Sequence, residues 1–216
     1  MKLRILYDNN ALPGYQADWG FACLAEGQEN VLFDTGADPA ILKHNMERAA
    51  VEPGAVDKVV LSHDHWDHTG GLSYVVGGNA DAEVFILPGF GPDVRSQLSP
   101  AVLREVTEPG EVSPGIRSTG PVEGQTTEQA LVLDTDSGLV VITGCAHPGV
   151  DALMERAAAR GEIHAVLGGF HGFARLDALA GIAFLAPCHC TQHTQAIAER
   201  FPGSYSEIKA GSTLEF

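Results

Sequence analysis

The sequence predicts an α/β protein folded as a four-layer αββα sandwich built from two similar halves. Two observations predict it. Each half runs hairpin, helix, buried apolar strand and polar loop in that order, which places two sheets face to face with helices outside. The composition is that of a chain with a real core, 44% hydrophobic and 19% charged over 216 residues, a length that suits one domain spanning 1–216.

The elements follow from local pattern. Residues 3–8 alternate as a strand, and 19–36 form a hairpin turning at Gly27 to Asn30, its second strand ending at Asp34. Residues 38–51 are helical: Asp38 is the N-cap, Pro39 fits the first helical position, and Ile41, Leu42 and Met46 share a face. An apolar strand at 56–63 runs into a histidine-rich segment, "GLSYVV" starts a short helix, and 82–88 is another strand. Residues 89–128 hold five prolines and read as mostly loop with short strands, a wall or lid over a site. The second half gives a hairpin at 130–144 turning at Asp136–Gly138, then a helix at 147–161 with Gly161 as its C′ residue. A strand at 164–169, a short helix at "LDALAG" and a strand at 182–187 follow. Thr191 caps a helix running to Phe201, and "EIKAGSTLEF" closes with a strand pair.

Several function classes are disfavoured. A net charge of −15 argues against nucleic acid, whose binding is dominated by Lys and Arg contacts to phosphate. The longest apolar run, "ALAGIAFLA", is far short of a membrane span. "MKLRILYD" has no signal-peptide core. Cys23, Cys145, Cys188 and Cys190 include no CxxC pair and read as free thiols of a reducing compartment, so a cytoplasmic protein is expected.

The chemistry-bearing stretch is "LSHDHWDHTGG", Leu61 to Gly71, with the spacing His-x-His-x-Asp-His. Side chains alternate in an extended segment, so His63 and His65 point the same way and can share one metal. Asp67 and His68 follow a turn and can reach a second centre beside it. A polar loop that happens to be rich in histidine is the weaker reading, because the run sits at the C-terminal end of a buried strand. His147 follows "LVVITG" and His189 follows "IAFLAP", so both are candidate ligands at the same edge. His44 and His164, isolated on a helix and a strand, read as ordinary residues.

His63, His65, Asp67 and His68, with His147 and His189 downstream and "FDTG" upstream, resemble the metallo-β-lactamase fold superfamily over residues 31 to 190. "GCAHPG", "GGFHG" and "APCHCTQ" further resemble a branch named for 7,8-dihydropterin-6-methyl-4-(β-D-ribofuranosyl)aminobenzene 5′-phosphate synthase. The resemblance implies the four-layer sandwich with one or two metals, usually zinc and sometimes iron or manganese. It implies that His63, His65 and His147 hold the first metal and Asp67, His68 and His189 the second, with Asp34 orienting the ligand loop. Two positions depart from the pattern: Gly169 stands where most two-metal members carry a bridging aspartate, and Gln192 replaces a glycine. His171 is then a ligand, a substrate contact or a proton donor. Cys145, Cys188 and Cys190 flank the ligands and either pack behind them or enter the metal shell, the former being preferred.

With no serine or cysteine nucleophile motif, the expected chemistry is metal-bound hydroxide attacking an ester, thioester, lactone, amide or phosphoester of a small molecule. Asp67 or His171 would move the proton. Trp19, Trp66, Phe90, Phe170 and Phe173 are candidate pocket aromatics. The alternatives are a pterin-related C–N bond-forming or iron-dependent redox enzyme, and a metal-binding domain with little catalysis.

Overall fold

The protein was analysed as a computed structural model, which describes residues 1–99 and 101–216; Pro100, inside the segment expected to be mostly loop, lies outside them. The first half comprises β1 (Lys2–Tyr7), β2 (Ala22–Glu26), β3 (Asn30–Phe33), helix α1 (Pro39–Arg48), β4 (Lys58–Val60), the one-turn helix α2 (Trp66–Thr69), α3 (Leu72–Gly78) and β5 (Glu83–Ile86). Next come α4 (Pro92–Gln97), β6 (Val102–Glu105), β7 (Gly110–Ser113) and β8 (Ile116–Ser118). The second half adds β9 (Leu131–Thr135), β10 (Gly138–Thr143), α5 (Val150–Ala158), β11 (Ile163–Gly169), β12 (Phe184–Cys188), α6 (Thr194–Arg200) and β13 (Thr213–Glu215).

Two mixed sheets result, ordered β13-β1-β2-β3-β4-β5-β6 and β12-β11-β10-β9-β8-β7. The period-two pattern of the strands makes the layers. Leu3, Ile5, Cys23, Val31 and Phe33 of the first sheet meet Leu131, Leu133, Val140, Ile142 and Leu167 of the second in one core between the sheets. Their neighbours Leu24, Leu32, Val59 and Val84 turn the other way, onto Leu42 and Met46 of α1 and Val75 of α3. Val132, Val141 and Val166 likewise turn outward onto Leu153 of α5 and Ile197 of α6. Three cores between four layers are the αββα sandwich that the pattern predicts.

The element boundaries differ from the sequence reading where side chains claim backbone groups. The strand expected over 56–63 ends as regular structure at Val60, because the Ser62 amide donates to Asp34 Oδ1 (2.7 Å) and leaves the ladder. The helix expected from residue 147 starts at Val150, because the amides of residues 144–147 donate to Glu128. At its other end the cap is Ala159, so Gly161 is not the C′ residue. Thr191 does not cap α6, whose N-cap is His193; its hydroxyl donates to Cys188 O (2.7 Å) and accepts from the Phe170 amide (2.9 Å). The C-terminal segment gives one strand, β13, paired with β1, rather than a strand pair. Within 89–128, α4 and β6 to β8 are more regular than expected; their strands are three or four residues long, too short to show a period.

Strands β3, β4, β5 and β6 run parallel, as do β10, β11 and β12. Their C-terminal ends share an edge of the sandwich, and the polar loops gather there.

Candidate metal centre

Each site residue stands just past a strand: Asp8 after β1, Asp34 after β3, His63 to His68 after β4, Cys145 and His147 after β10, His171 after β11, and His189 and Cys190 after β12. The backbone is bent sharply at these points. Five non-glycine residues have positive φ among the described residues, and four of them, Asp34, Ala146, His171 and His189, belong to this edge. Such conformations cost of order 1–3 kcal/mol each and persist where surrounding contacts impose them.

Two groups of donor atoms result, each within 4.8 Å of one another: Asp67, His68, Cys145 and His189 in one, and His63, Cys145 and His147 in the other. His65 stands beside the second group, its Nδ1 2.9 Å from His63 Nε2 and its ring 4.9 Å from that of His147. His171 lies next to it, 4.9 Å from His147 between ring centres. The side chains expected to gather from "LSHDHWDHTGG", His147 and His189 therefore meet at one place, and Cys145 enters both groups.

The rings are oriented from behind. Asp34 is fully buried and accepts from the Ser62 hydroxyl (2.8 Å) and from His68 Nδ1 (2.7 Å) through Oδ2. Ser62 Oγ is in turn 2.8 Å from His63 Nδ1. His189 is held by its amide donating to Asp8 Oδ1 (2.9 Å) and by Nδ1 against Asn9 Oδ1 (3.0 Å). With the Nδ1 atoms so engaged, the Nε2 atoms of His68 and His189 face Asp67 Oδ2 at 3.7 and 3.4 Å. Trp19 Nε1 donates to the same oxygen (2.8 Å).

The electrostatics favour lone pairs over protons. Burial, and then the neighbouring histidines, drive His63 well below the usual imidazole range and lower His147 to about 4. Burial lowers His65 as well. Burial opposes charge on His68 too, but the Asp34 carboxylate outweighs it and raises that ring to about 9. Burial pushes Asp67 up, yet the nearby His189 and His68 rings hold it well below the ordinary carboxylate range. The Cys145 and Cys190 sulfurs lie 3.3 Å apart, and the contact eases loss of a first proton from the pair while opposing loss of a second.

These residues fit a divalent transition metal. Both ring nitrogens of His147, Nε2 of His189 and Nδ1 of His171 are buried without a hydrogen-bond partner, and such atoms are rare in folded proteins unless something completes them. Imidazole, thiolate and carboxylate together are a donor set for zinc or iron.

Three supports of the site carry no motif. Glu128 is fully buried and accepts the amides of Gly144 (3.1 Å), Cys145 (2.9 Å), Ala146 (2.9 Å) and His147 (2.9 Å), which pins the loop that presents Cys145 and His147. Burial raises its pKa to about 7 against those four bonds. Asp8 and Asn9 are the others. The only sequence signal for any of them is a polar residue beside an apolar strand.

A cavity of about 420 Å³ opens above these donor groups, lined by Trp19, His65, Trp66, Asp67, Cys145, His147, His171 and Cys190. Trp19 and Trp66 are 49% and 66% exposed, so both are available to a ligand. Phe170, expected in the pocket, is instead fully buried among Ala146, Val150 and Leu185 beneath the outer helices, because the residue following Gly169 faces that core. Phe173 lines a neighbouring recess with His147 and His171. Phe90 lines a cavity of about 450 Å³ with Asp64 and Thr107, so the 89–128 segment does form a wall beside the motif. Cys23 and Cys188 pack in the core between the sheets, as preferred for the cysteines, whereas Cys145 does not: its Sγ lies 3.2 Å from His68 Nε2. His44 bonds Gly14 O, and His164 lies against Phe216, away from the site.

A αββα sandwich carrying histidine, aspartate and cysteine donors at one edge defines a class, and the chain belongs to it: the family model of the metallo-β-lactamase superfamily matches residues 14–166. Among relatives, the 7,8-dihydropterin-6-methyl-4-(β-D-ribofuranosyl)-aminobenzene-5′-phosphate synthase of Methanocaldococcus jannaschii is 23% identical over 91% of this chain and 90% of its own. A second protein of that organism, the uncharacterized MJ0448, is 30% identical over 78% of each chain. The crystal structure of Tm1679, described as a metal-dependent hydrolase of the β-lactamase superfamily, superposes with a TM-score of 0.84 at 28% identity, covering 100% of this chain and 99% of that one. No helix among the described residues is long and apolar enough to cross a membrane.

Proposed function

We propose that this protein is a metal-dependent hydrolase of a small molecule bearing an ester, thioester, lactone, amide or phosphoester. The observation that carries the reading is the meeting of two donor groups under one open cavity, with buried histidine nitrogens that lack any other partner. His63, His65 and His147 would hold one zinc ion, and Asp67, His68 and His189 a second; iron or manganese are the alternatives. A bound divalent metal lowers the pKa of water and polarises an electrophilic oxygen. The chain's own part is to orient and to move protons. Asp34 and Asn9 hold the His68 and His189 rings, and Trp19 donates a hydrogen bond to Asp67. His171 Nδ1, free of partners beside His147, is placed to give a proton to a leaving group. Trp19 and Trp66 flank the cavity and suit a flat ring. Free thiols 3.3 Å apart suit a reducing cytoplasm.

The likeness to the pterin-related synthase supports a second reading, formation of a C–N bond at the same centre. One experiment separates them. Protein purified without added metal is analysed for zinc and iron, then stripped, refilled with zinc and assayed on nitrophenyl esters, thioesters, lactones and a phosphodiester. Zinc-dependent turnover that disappears in His63→Ala and His65→Ala supports hydrolysis. Iron as the resident metal with no turnover on the panel favours the second reading. Absence of bound metal overturns both.

A further inference from the structure

Cys145 is the one residue common to both donor groups, standing with Asp67, His68 and His189 on one side and with His63 and His147 on the other. Its place in the fold explains why. The loop after β10 is drawn inward by Glu128, which takes the amides of Cys145 and its neighbours and aims the thiol at the gap between the groups. The end of β11 leaves that gap open. A Cβ built on Gly169 would lie 2.2 Å from Gly144 O, 2.8 Å from Cys190 Sγ and 3.2 Å from Cys145 Cα, so no side chain can stand at residue 169 while the cysteines are where they are. The space that a side chain on Gly169 would need is taken first by the Gly144 carbonyl oxygen and then by the Cys190 sulfur. On the far side, the fully buried His189 ring sets Nε2 3.4 Å from Asp67 Oδ2, in the same donor group as Cys145.

We propose that the Cys145 thiolate is the ligand shared between the two metal positions, with Cys190 as the neighbouring thiol that supports it. The inference rests on the reading that the edge binds metal, and it adds the identity of the shared atom. Binding releases the thiol proton to solvent, leaving an anionic sulfur flanked by imidazole nitrogens. Cys190 Sγ, 3.3 Å away, remains as a donor to that sulfur and is not itself in either group. A soft donor in the shared place selects zinc or ferrous iron over manganese or magnesium, which prefer an all-oxygen environment.

Cobalt(II) is the direct probe, because a cobalt–thiolate bond gives a charge-transfer absorption in the near ultraviolet that nitrogen and oxygen ligands do not. Protein stripped with a chelator and refilled with cobalt is expected to show that band in the unaltered chain and in Cys190→Ser, and to lose it in Cys145→Ser together with part of the bound cobalt. Persistence of the band in Cys145→Ser, or its loss only in Cys190→Ser, overturns the proposal. Cobalt bound without any band in the unaltered chain overturns it while leaving the metal reading intact; no cobalt bound at all overturns both. Cadmium NMR on the unaltered chain gives a second test that needs no variant. A resonance shifted to the thiolate range supports the shared sulfur, and one in the nitrogen and oxygen range overturns it.

Discussion

Asp34 ties two segments of the site together, with one oxygen on the Ser62 amide and the other on the Ser62 hydroxyl and His68 Nδ1. Replacing a carboxylate that orients a ligand histidine typically costs 10–100-fold in metal affinity. Asp34→Asn is therefore expected to weaken zinc binding by about that factor, as read by competition with a chelating dye. Glu128 acts on the backbone instead. Glu128→Ala would strand four buried amides, and each unpaired buried donor costs about 1–3 kcal/mol. A loss of more than about 3 kcal/mol in urea unfolding is expected on that basis. Both residues were open to sequence reading in principle, but only Asp34 sits in a readable motif, "FDTG". Glu128 follows a proline- and glycine-rich stretch, and its partners are 16 to 19 residues further along the chain. Nothing local distinguishes it from a surface glutamate.

At the scale of elements, helix α1 shows how far local rules reach. Asp38 Oδ1 accepts the Ala40 amide (2.7 Å), and Pro39 starts the helix as its sequence dictates. Asp38→Ala should cost about 1 kcal/mol of stability without altering metal affinity, since the cap hydrogen bond engages none of the donor residues. Strand β11 gives the contrasting case. Its apolar run was legible, but which face of the chain Phe170 would take after Gly169 was not. Because Phe170 is fully buried under the outer helices, Phe170→Ala should destabilise the fold by about 3–5 kcal/mol. A residue lining the cavity would change substrate affinity and leave the denaturation midpoint nearly unmoved. Short strands were expected within 89–128, but their places were not legible, and β6 shows why. β6 is exposed along its whole length at a sheet edge, so it lacks the alternation that marks a strand with one buried face.

For the whole molecule, the buried histidine cluster makes the fold sensitive to acid. Burial and the neighbouring histidines hold His147 at about 4, against 6.5 for an ordinary histidine, and depress His63 in the same direction. Between those two values the unfolded chain binds protons at these rings that the folded chain refuses; Glu128, raised to about 7, acts the other way but is one group against two, so stability falls as pH drops through the window. The melting temperature of chelator-treated protein should decline from pH 7 to pH 5. Added zinc should raise it at pH 7 and do so less at pH 5, where protons compete for the same nitrogens. The sequence by itself determined the layered architecture and the identity of most donor residues, because alternation, helix caps and the His-x-His-x-Asp-His spacing are local properties. Only the tertiary structure decided that Cys145 belongs to both donor groups and that Glu128, Asp8 and Asn9 hold the loops, because those contacts join residues from separate strands. Parallel strands bring their C-terminal loops to one edge across long stretches of chain, and no short-range pattern records which side chains then face each other.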